Sequence, residues 1–117
     1  MVKQVLDKAL KIDLNSVPAL INMGNYYVKR GQTQEAYEWF ERAARVDPYN
    51  YIPQFSLGMQ KLKLGRVRDG LKHITESVNL KPDFVQGYQT LATVYTQFGK
   101  TDTAHMYVVL KDLFSPL

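Results

Sequence analysis

Cysteine is absent from this chain of 117 residues, and histidine occurs only twice. Without cysteine the chain has no disulfide, no thiolate nucleophile and no sulfur ligand for a metal. The two histidines, His73 and His105, lack the i, i+4 spacing of a helical metal site. The sequence therefore predicts a protein that is not an enzyme and that binds no metal or cofactor.

Long apolar runs are also missing. No run approaches the ~20 residues that a membrane-spanning helix needs, and residues 1–10 lack the apolar centre of a secretory signal. We therefore expect a soluble chain without a membrane span. The lack of cysteine is compatible with the cytoplasm, which is slightly favoured, and with the periplasm, so the compartment stays open.

The charge is modestly basic, with a formal net charge of +4 and a pI near 9.3. Much of the excess comes from one short run that contains Lys61, Lys63, Arg66, Arg68 and Lys72. Such a run could bind an acidic partner or nucleic acid. Because it is short and interrupted by an aspartate, the sequence favours a solvated turn instead, and nucleic acid is not expected as a partner.

Glycine and proline are scarce, with seven and five residues, but they recur at a fixed spacing of 34 residues. The positions are Gly31, Gly65 and Gly99, and Pro48, Pro82 and Pro116. Apolar and small residues follow the same spacing, in the columns Met23, Leu57 and Leu91; Ala36, Gly70 and Ala104; and Phe40, Ile74 and Val108. A period of this length is typical of stacked helical repeats.

The repeating residues also predict where helices begin and end. A glycine with positive φ ends a helix with little strain, and proline disfavours helix in the residue before it. We predict helices over about 2–12, 17–30, 34–47, 51–64, 68–80, 85–98 and 102–114. The predicted N-terminal caps are Ser16, Thr33, Asn50, Asp83 and Thr101.

This pattern resembles the tetratricopeptide repeat, a helix-turn-helix of 34 residues. The best match is the first complete repeat, with Leu20, Met23, Gly24, Tyr27, Gly31, Ala36, Phe40, Ala43 and Pro48. The resemblance implies an all-α fold, a right-handed superhelical solenoid of antiparallel helix pairs with about seven helices.

The same register predicts a single domain over residues 1–117. Residues 1–16 would form the second half of a truncated repeat, followed by repeats at 17–50, 51–84 and 85–117. We expect the chain to be part of a longer protein. The second repeat departs from the family pattern at Gln54 and Lys61, so its helix pair is expected to be held less tightly. Two mid-helix glycines, Gly24 and Gly58, are expected where the helices of a pair cross, opposite Ala36 and Gly70.

The resemblance also implies a function: a non-catalytic protein–protein interaction module or scaffold that binds a peptide segment of a partner protein in the concave groove. In this family the first helix of each repeat lines that groove. Carried onto this sequence, the predicted groove residues are Asn22, Asn25, Lys29, Ile52, Phe55, Met59, Leu62, Lys63, Gln86, Gln89, Thr90 and Thr93.

The groove so defined contains Lys29 and Lys63 but no acidic residue, so a partner with apolar anchors and a neutral to acidic character is expected. Relatives that grip the C-terminal carboxylate of chaperones use a cluster of Lys, Arg and Asn in these helices. Asn25 could fill one place of that cluster, but the third repeat has glutamine and threonine where the cationic residues would be expected, so the sequence does not favour a carboxylate clamp. Phe55 and Met59 have an alternative role in the core, because apolar residues at helical spacing also pack neighbouring helices together.

Two alternative functions remain open at this point. One is a self-assembling scaffold, a homo-oligomer formed through exposed ends of the solenoid. The first helix contributes Val2, Val5, Leu6 and Leu10 to this idea, and the last contributes Met106, Tyr107, Val109, Leu110, Leu113 and Phe114. The other is a regulatory region of a larger multidomain protein.

Overall fold

A computed structural model of the protein describes residues 3–4 and 15–115. Within this part of the chain there are six α-helices and no strand, namely α1 (Val17–Lys29), α2 (Thr33–Val46), α3 (Tyr51–Lys63), α4 (Val67–Leu80), α5 (Val85–Gln97) and α6 (Thr101–Phe114). Each begins and ends within one residue of its predicted bounds. The helix predicted over 2–12 and the proline at position 116 lie outside the described residues, apart from residues 3–4.

The six helices stack in the order of the sequence. Within each pair, α1 with α2, α3 with α4 and α5 with α6, the helices are joined by three residues, and four residues join one pair to the next. The pairs meet where α2 packs on α3 and α4 packs on α5. The resulting particle measures 48 × 28 × 24 Å and has a radius of gyration of 15.2 Å, whereas a globular domain of this length has about 13 Å. The prediction of an all-α solenoid is confirmed.

The turn inside each pair is built in the same way. Gly31, Gly65 and Gly99 have φ values of 72°, 79° and 73°, as their spacing predicted. In the first turn the Gly31 N–H donates to the carbonyl of Val28, and the Gln32 N–H donates to the carbonyl of Tyr27. This is the Schellman arrangement, in which a left-handed residue satisfies the last carbonyls of a helix.

The same turn explains why two predicted caps are wrong. Gln32 and Lys100 already occupy the cap positions of α2 and α6, because their carbonyls accept the first hydrogen bond of the following helix. Thr33 and Thr101 are therefore the first helical residues, and neither helix has a side-chain cap. The threonine hydroxyls therefore lie one residue after the cap position.

The caps between pairs are partly as predicted. The Ser16 hydroxyl accepts a hydrogen bond from the Ala19 N–H at 3.4 Å, and the Asn50 amide oxygen accepts one from the Ile52 N–H at 3.0 Å. Asp83 is not a cap, because α5 begins one residue later, after Phe84. The Asp83 carboxylate instead pairs with the Lys81 ammonium at 3.2 Å.

The core follows the repeating columns of the sequence. Ala36 and Phe40 of α2 form one buried cluster with Leu57 of α3, which joins the first pair to the second. The second and third pairs are joined by a cluster from α4 and α5 that contains Ile74, Val78, Tyr88 and Leu91. Stacking therefore buries apolar faces that a single pair would leave exposed.

The mid-helix glycines lie at close helix crossings. A Cβ atom on Gly58 would lie only 2.9 Å from the carbonyl oxygen of Gly70, so the predicted crossing of these two glycines is confirmed. At Gly24 the nearest side chain is that of Phe40. A Cβ atom on Gly24 would overlap the Phe40 ring, so the small residue makes room for an aromatic side chain of α2.

The second repeat is not looser than its neighbours, contrary to what its sequence departures suggested. The Gln54 amide oxygen lies 3.0 Å from Nδ1 of His73, which links α3 to α4. The Lys61 ammonium lies 4.7 Å from the centre of the Tyr37 ring, which links α3 to α2. Both polar replacements therefore have partners in adjacent helices, and α3 and α4 approach closely where Gly70 faces α3.

Candidate functional site

A cleft of about 630 Å³ lies between the first helices of the second and third repeats. We call it the α3–α5 cleft. Its lining comes from α3, the start of α4, and α5 with the residue after it. The lining residues are Met59, Leu62, Val67, Gln86, Gln89, Thr90, Thr93, Val94, Gln97 and Phe98.

The α3–α5 cleft brings together half of the predicted groove residues, namely Met59, Leu62, Gln86, Gln89, Thr90 and Thr93. The other six lie outside its described lining. Asn22, Asn25 and Lys29 are exposed on α1, whereas Ile52 and Lys63 are exposed on α3. Phe55 is half-buried on α3. The second half of the described chain thus has an open cleft that gathers predicted groove residues, and the predicted residues of the first repeat are exposed on α1.

The apolar middle of the predicted groove is shared with the core. The ring of Phe55 meets the ring of Phe84 edge to face, with 5.0 Å between their centres. Met59 and Leu62 are half-buried against the cluster that joins the second and third pairs, and Leu62 also lies against Gly70. Met59 and Leu62 therefore both line the cleft and contact the core, whereas Phe55 contacts the core outside the described lining, so truncating Phe55 or Met59 would weaken the core.

Four lining residues stand outside the predicted groove set: Val67, Val94, Gln97 and Phe98. Phe98 is the most informative of them, because it is a large aromatic residue placed directly before a helix-ending glycine. The equivalent positions in the earlier repeats hold Arg30 and Leu64. An aromatic side chain at an exposed helix-cap position is a feature of the sequence that could have indicated a binding residue.

The threonine hydroxyls of the α3–α5 cleft donate hydrogen bonds to backbone carbonyls of α5. Thr90 donates to the carbonyl of Gln86, and Thr93 donates to the carbonyl of Gln89, each at 2.9 Å. These hydroxyls therefore present mainly acceptor lone pairs to the cleft. The side-chain amides of Gln86 and Gln89 are exposed, and an amide carries both donors and acceptors.

The electrostatics of the α3–α5 cleft are simple, because none of its described lining residues is ionisable. The cations of the predicted groove lie beside the cleft and not in it. Lys63 occupies in the second repeat the position that Gln97 occupies in the third, and Lys29 occupies it in the first. A ligand in the cleft therefore meets amides, hydroxyls and apolar groups of the lining, whereas exposed cations, among them Lys63, Arg66 and Lys100, lie within two residues of lining residues in the sequence.

One residue of the basic run, Lys61, packs against a neighbouring helix, and the other four are exposed. Lys61 lies over the Tyr37 ring, whereas Lys63, Arg66, Arg68 and Lys72 are exposed. Burial, together with the nearby Glu41 carboxylate, raises the pKa of Tyr37. The exposed cations share their surroundings with carboxylates, which fits the interpretation of a solvated turn.

The described residues hold neither a cluster that could bind a metal nor a helix long and apolar enough to cross a membrane. Of the two histidines, His73 is half-buried, and its pKa is lowered first by burial and then by the charge of Lys61. His105 is exposed on α6, a different helix. The two histidine side chains thus lie in different surroundings and do not form a common site.

Comparison with known proteins agrees with the fold. Residues 17–50 match the family model of the tetratricopeptide repeat. The chain therefore belongs to the tetratricopeptide repeat family. Among curated relatives, it is 30% identical over 88 residues to a tetratricopeptide repeat and J domain-containing co-chaperone, DNJ1, of Fusarium oxysporum. That match covers 75% of this chain but only 17% of the length of the relative.

Two groups of solved structures illustrate the likeness in three dimensions. A crystal structure of MamA has a TM-score of 0.84 at 21% identity, covering 97% of this chain and 66% of that one. The second tetratricopeptide repeat domain of Spaghetti (RPAP3), bound to the HSP90 peptide SRMEEVD, has a TM-score of 0.79 at 20% identity. This second match covers 92% of this chain and 99% of that one. At these identities the likeness shows the fold alone.

Proposed function

We propose that this chain is a non-catalytic protein-interaction module that binds a peptide segment of a partner protein along α1, α3 and α5. The observation that carries the proposal is the α3–α5 cleft, which gathers groove residues from two repeats and is open to a ligand. The structural neighbour that holds a peptide supports it, because a closely similar backbone is compatible with peptide binding. Residues Asn22, Asn25 and Lys29 extend the proposed surface onto α1.

Selection from a random peptide display library, with the intact chain immobilised, tests this function. A Thr93→Arg variant places a bulky charged side chain in the cleft at an exposed position, so it should block the selected peptides without unfolding the chain. Gln34→Arg, at an exposed position on α2, is the matched control. Failure to select any peptide, or peptides that bind wild type and Thr93→Arg equally well, would refute the proposed function.

A second candidate function is self-association, and one observation favours it. Along the outer face of α6, Met106, Val109 and Leu113 have exposed fractions of 47%, 52% and 70%. In the first repeat the positions equivalent to Met106 and Leu113 hold Glu38 and Arg45. An apolar stripe where the other repeats are polar is typical of a contact surface.

Sedimentation velocity over a dilution series tests the second candidate. The wild type should form a dimer that dissociates on dilution, and a Val109→Ser, Leu113→Ser variant should stay monomeric. Arg45→Ser, at the position equivalent to Leu113, is the control and should behave like wild type. A wild-type chain that is monomeric at every concentration would exclude self-association as its role.

A further inference from the structure

We propose that the α3–α5 cleft selects an uncharged, extended segment of the partner and holds one bulky apolar side chain of that segment against Phe98. This inference rests on the proposed function and specifies the chemistry of the ligand. It is based on three features of the cleft: the exposure of Phe98, the division of the lining into an apolar end and a polar end, and the absence of ionisable groups from the described lining.

Phe98 is fixed in position, yet it has little to pack against. Its side chain is 59% exposed although it lines the cleft. Its backbone N–H donates to the carbonyl of Val94 at 3.2 Å, and Gly99 next to it ends the helix with a positive φ. The backbone at Phe98 is thus held in place, and its exposed aromatic ring gains burial when a ligand covers it.

Most apolar side chains of the lining lie at one end of the cleft. Leu62 comes from the last turn of α3, Val67 starts α4, and Val94 and Phe98 lie at the end of α5, so these side chains surround the end next to the turns at Gly65 and Gly99, together with the exposed amide of Gln97. The opposite end is formed by the first turns of α5, where Gln86 and Gln89 present their amides. The cleft therefore offers one apolar anchor site followed by a polar track.

The polar track suits a peptide backbone better than a charged side chain. Its threonine oxygens accept hydrogen bonds and its glutamines both donate and accept, which matches alternating backbone N–H and C=O groups. A carboxylate or ammonium group placed there would find no counter-ion among the lining residues. Acidic residues of a partner would be accommodated beside the apolar end, where the exposed Lys63 directly follows Leu62.

Peptides from the display selection provide the probe. Their binding to the intact chain should weaken at least about tenfold in the Phe98→Ala variant, as for a truncated aromatic anchor. Tyr49→Ala is the matched control, because Tyr49 is an exposed aromatic residue in the turn between α2 and α3 and should leave the affinity unchanged. In the peptides, replacing the enriched apolar residue by aspartate or lysine should abolish binding.

The outcomes separate this inference from the function on which it rests. If peptides are selected and Thr93→Arg blocks them, but Phe98→Ala does not weaken them or their anchor position is charged, the inference is wrong and the proposed function stands. If no peptide is selected, both fail. Unchanged melting temperatures of Phe98→Ala and Tyr49→Ala would show that a loss of affinity does not come from unfolding.

Discussion

Gln60 is a buried polar residue whose replacement should make the protein more stable. It lies on a buried face of α3, and it is only 3% exposed. Its amide oxygen has no hydrogen-bond partner among the described residues. In the third repeat the equivalent position holds Val94, which is also buried. The column is therefore apolar in character, and the substitution to test is Gln60→Met.

The size of the effect depends on what the substitution removes and keeps. A buried acceptor without a partner costs about 1–3 kcal/mol. Methionine resembles glutamine in length and has a similar helix propensity, so the cavity and propensity contributions are small. We expect the free energy of unfolding to rise by about 1–2 kcal/mol. For a chain of this size the unfolding entropy is roughly 0.25 kcal/mol per kelvin, so the melting temperature should rise by about 4–8 °C.

Thermal and urea unfolding followed by circular dichroism measure this change. Gln34→Met, on the exposed surface of α2, is the matched control and should change stability by less than about 0.5 kcal/mol. Gln60→Glu should destabilise the protein strongly at neutral pH, because it buries a charge without a counter-ion. A Gln60→Met protein that is no more stable than wild type would refute the reasoning, because the amide oxygen would then be satisfied in solution.

Three further predictions concern the core. Gly58→Ala should destabilise the protein by about 1–3 kcal/mol in urea unfolding, because its Cβ would crowd Gly70 and Ile74; a more stable variant would contradict the helix crossing. Tyr88→Phe should cost about 1 kcal/mol, because the hydroxyl donates to the carbonyl of Pro82 at 2.6 Å; no loss would mean that this bond is absent in solution. The pKa of His73 is lowered in the fold, so the unfolded chain takes up its proton at a higher pH and stability falls as the pH drops below about 6.5. Urea unfolding between about pH 7 and pH 5 should therefore show a shallower pH dependence for His73→Gln than for wild type, and equal slopes would exclude this contribution.

The helices and turns were predictable because their signals are local. Gly31 and its equivalents need a positive φ, and the prolines stand just past the second helices, so the bounds can be read from the sequence alone. The caps were less predictable, because the backbone hydrogen bonds of the preceding turn, and not a side chain, decide which residue takes the cap position. At the start of α2 that residue is Gln32 and not Thr33. Once the Gln32 N–H bonds back to Tyr27, the helix starts at the next residue whatever its hydroxyl could do.

The candidate site was only half predictable, because its shape depends on side chains from different repeats. Gln89 and Thr93 lie where the family register puts them. Phe55, in contrast, was predicted in the groove but packs against the ring of Phe84. The position of that ring depends on the segment between two helix pairs. Phe98 was missed because a residue at a helix end can point either to solvent or along the groove, and no periodicity decides between these directions.

The last helix differs from α2 and α4 in the face that a following helix would cover. In α4 this face includes Val78, which packs against the small residue Gly87 of α5. The equivalent residue of α2 is Ala44, which also packs against the core. In α6 the position holds Asp112, which is exposed and paired with Lys111 at 3.4 Å. Covering this face would bury a charged pair, which is unfavourable unless the geometry is very good.

The most exposed apolar residues of α6 are Leu113 and Val109 on its outer face. Val108, on the same side as Asp112, is 36% exposed. This distribution determines how self-association would proceed. End-to-end stacking through the Asp112 face would produce an open filament, whereas contact between two outer faces is reciprocal and closes after two copies. We therefore expect any self-association to stop at a dimer. Sedimentation at high concentration that shows larger species, still present in a Val109→Ser, Leu113→Ser variant, would mean that the stacking face associates despite its charges.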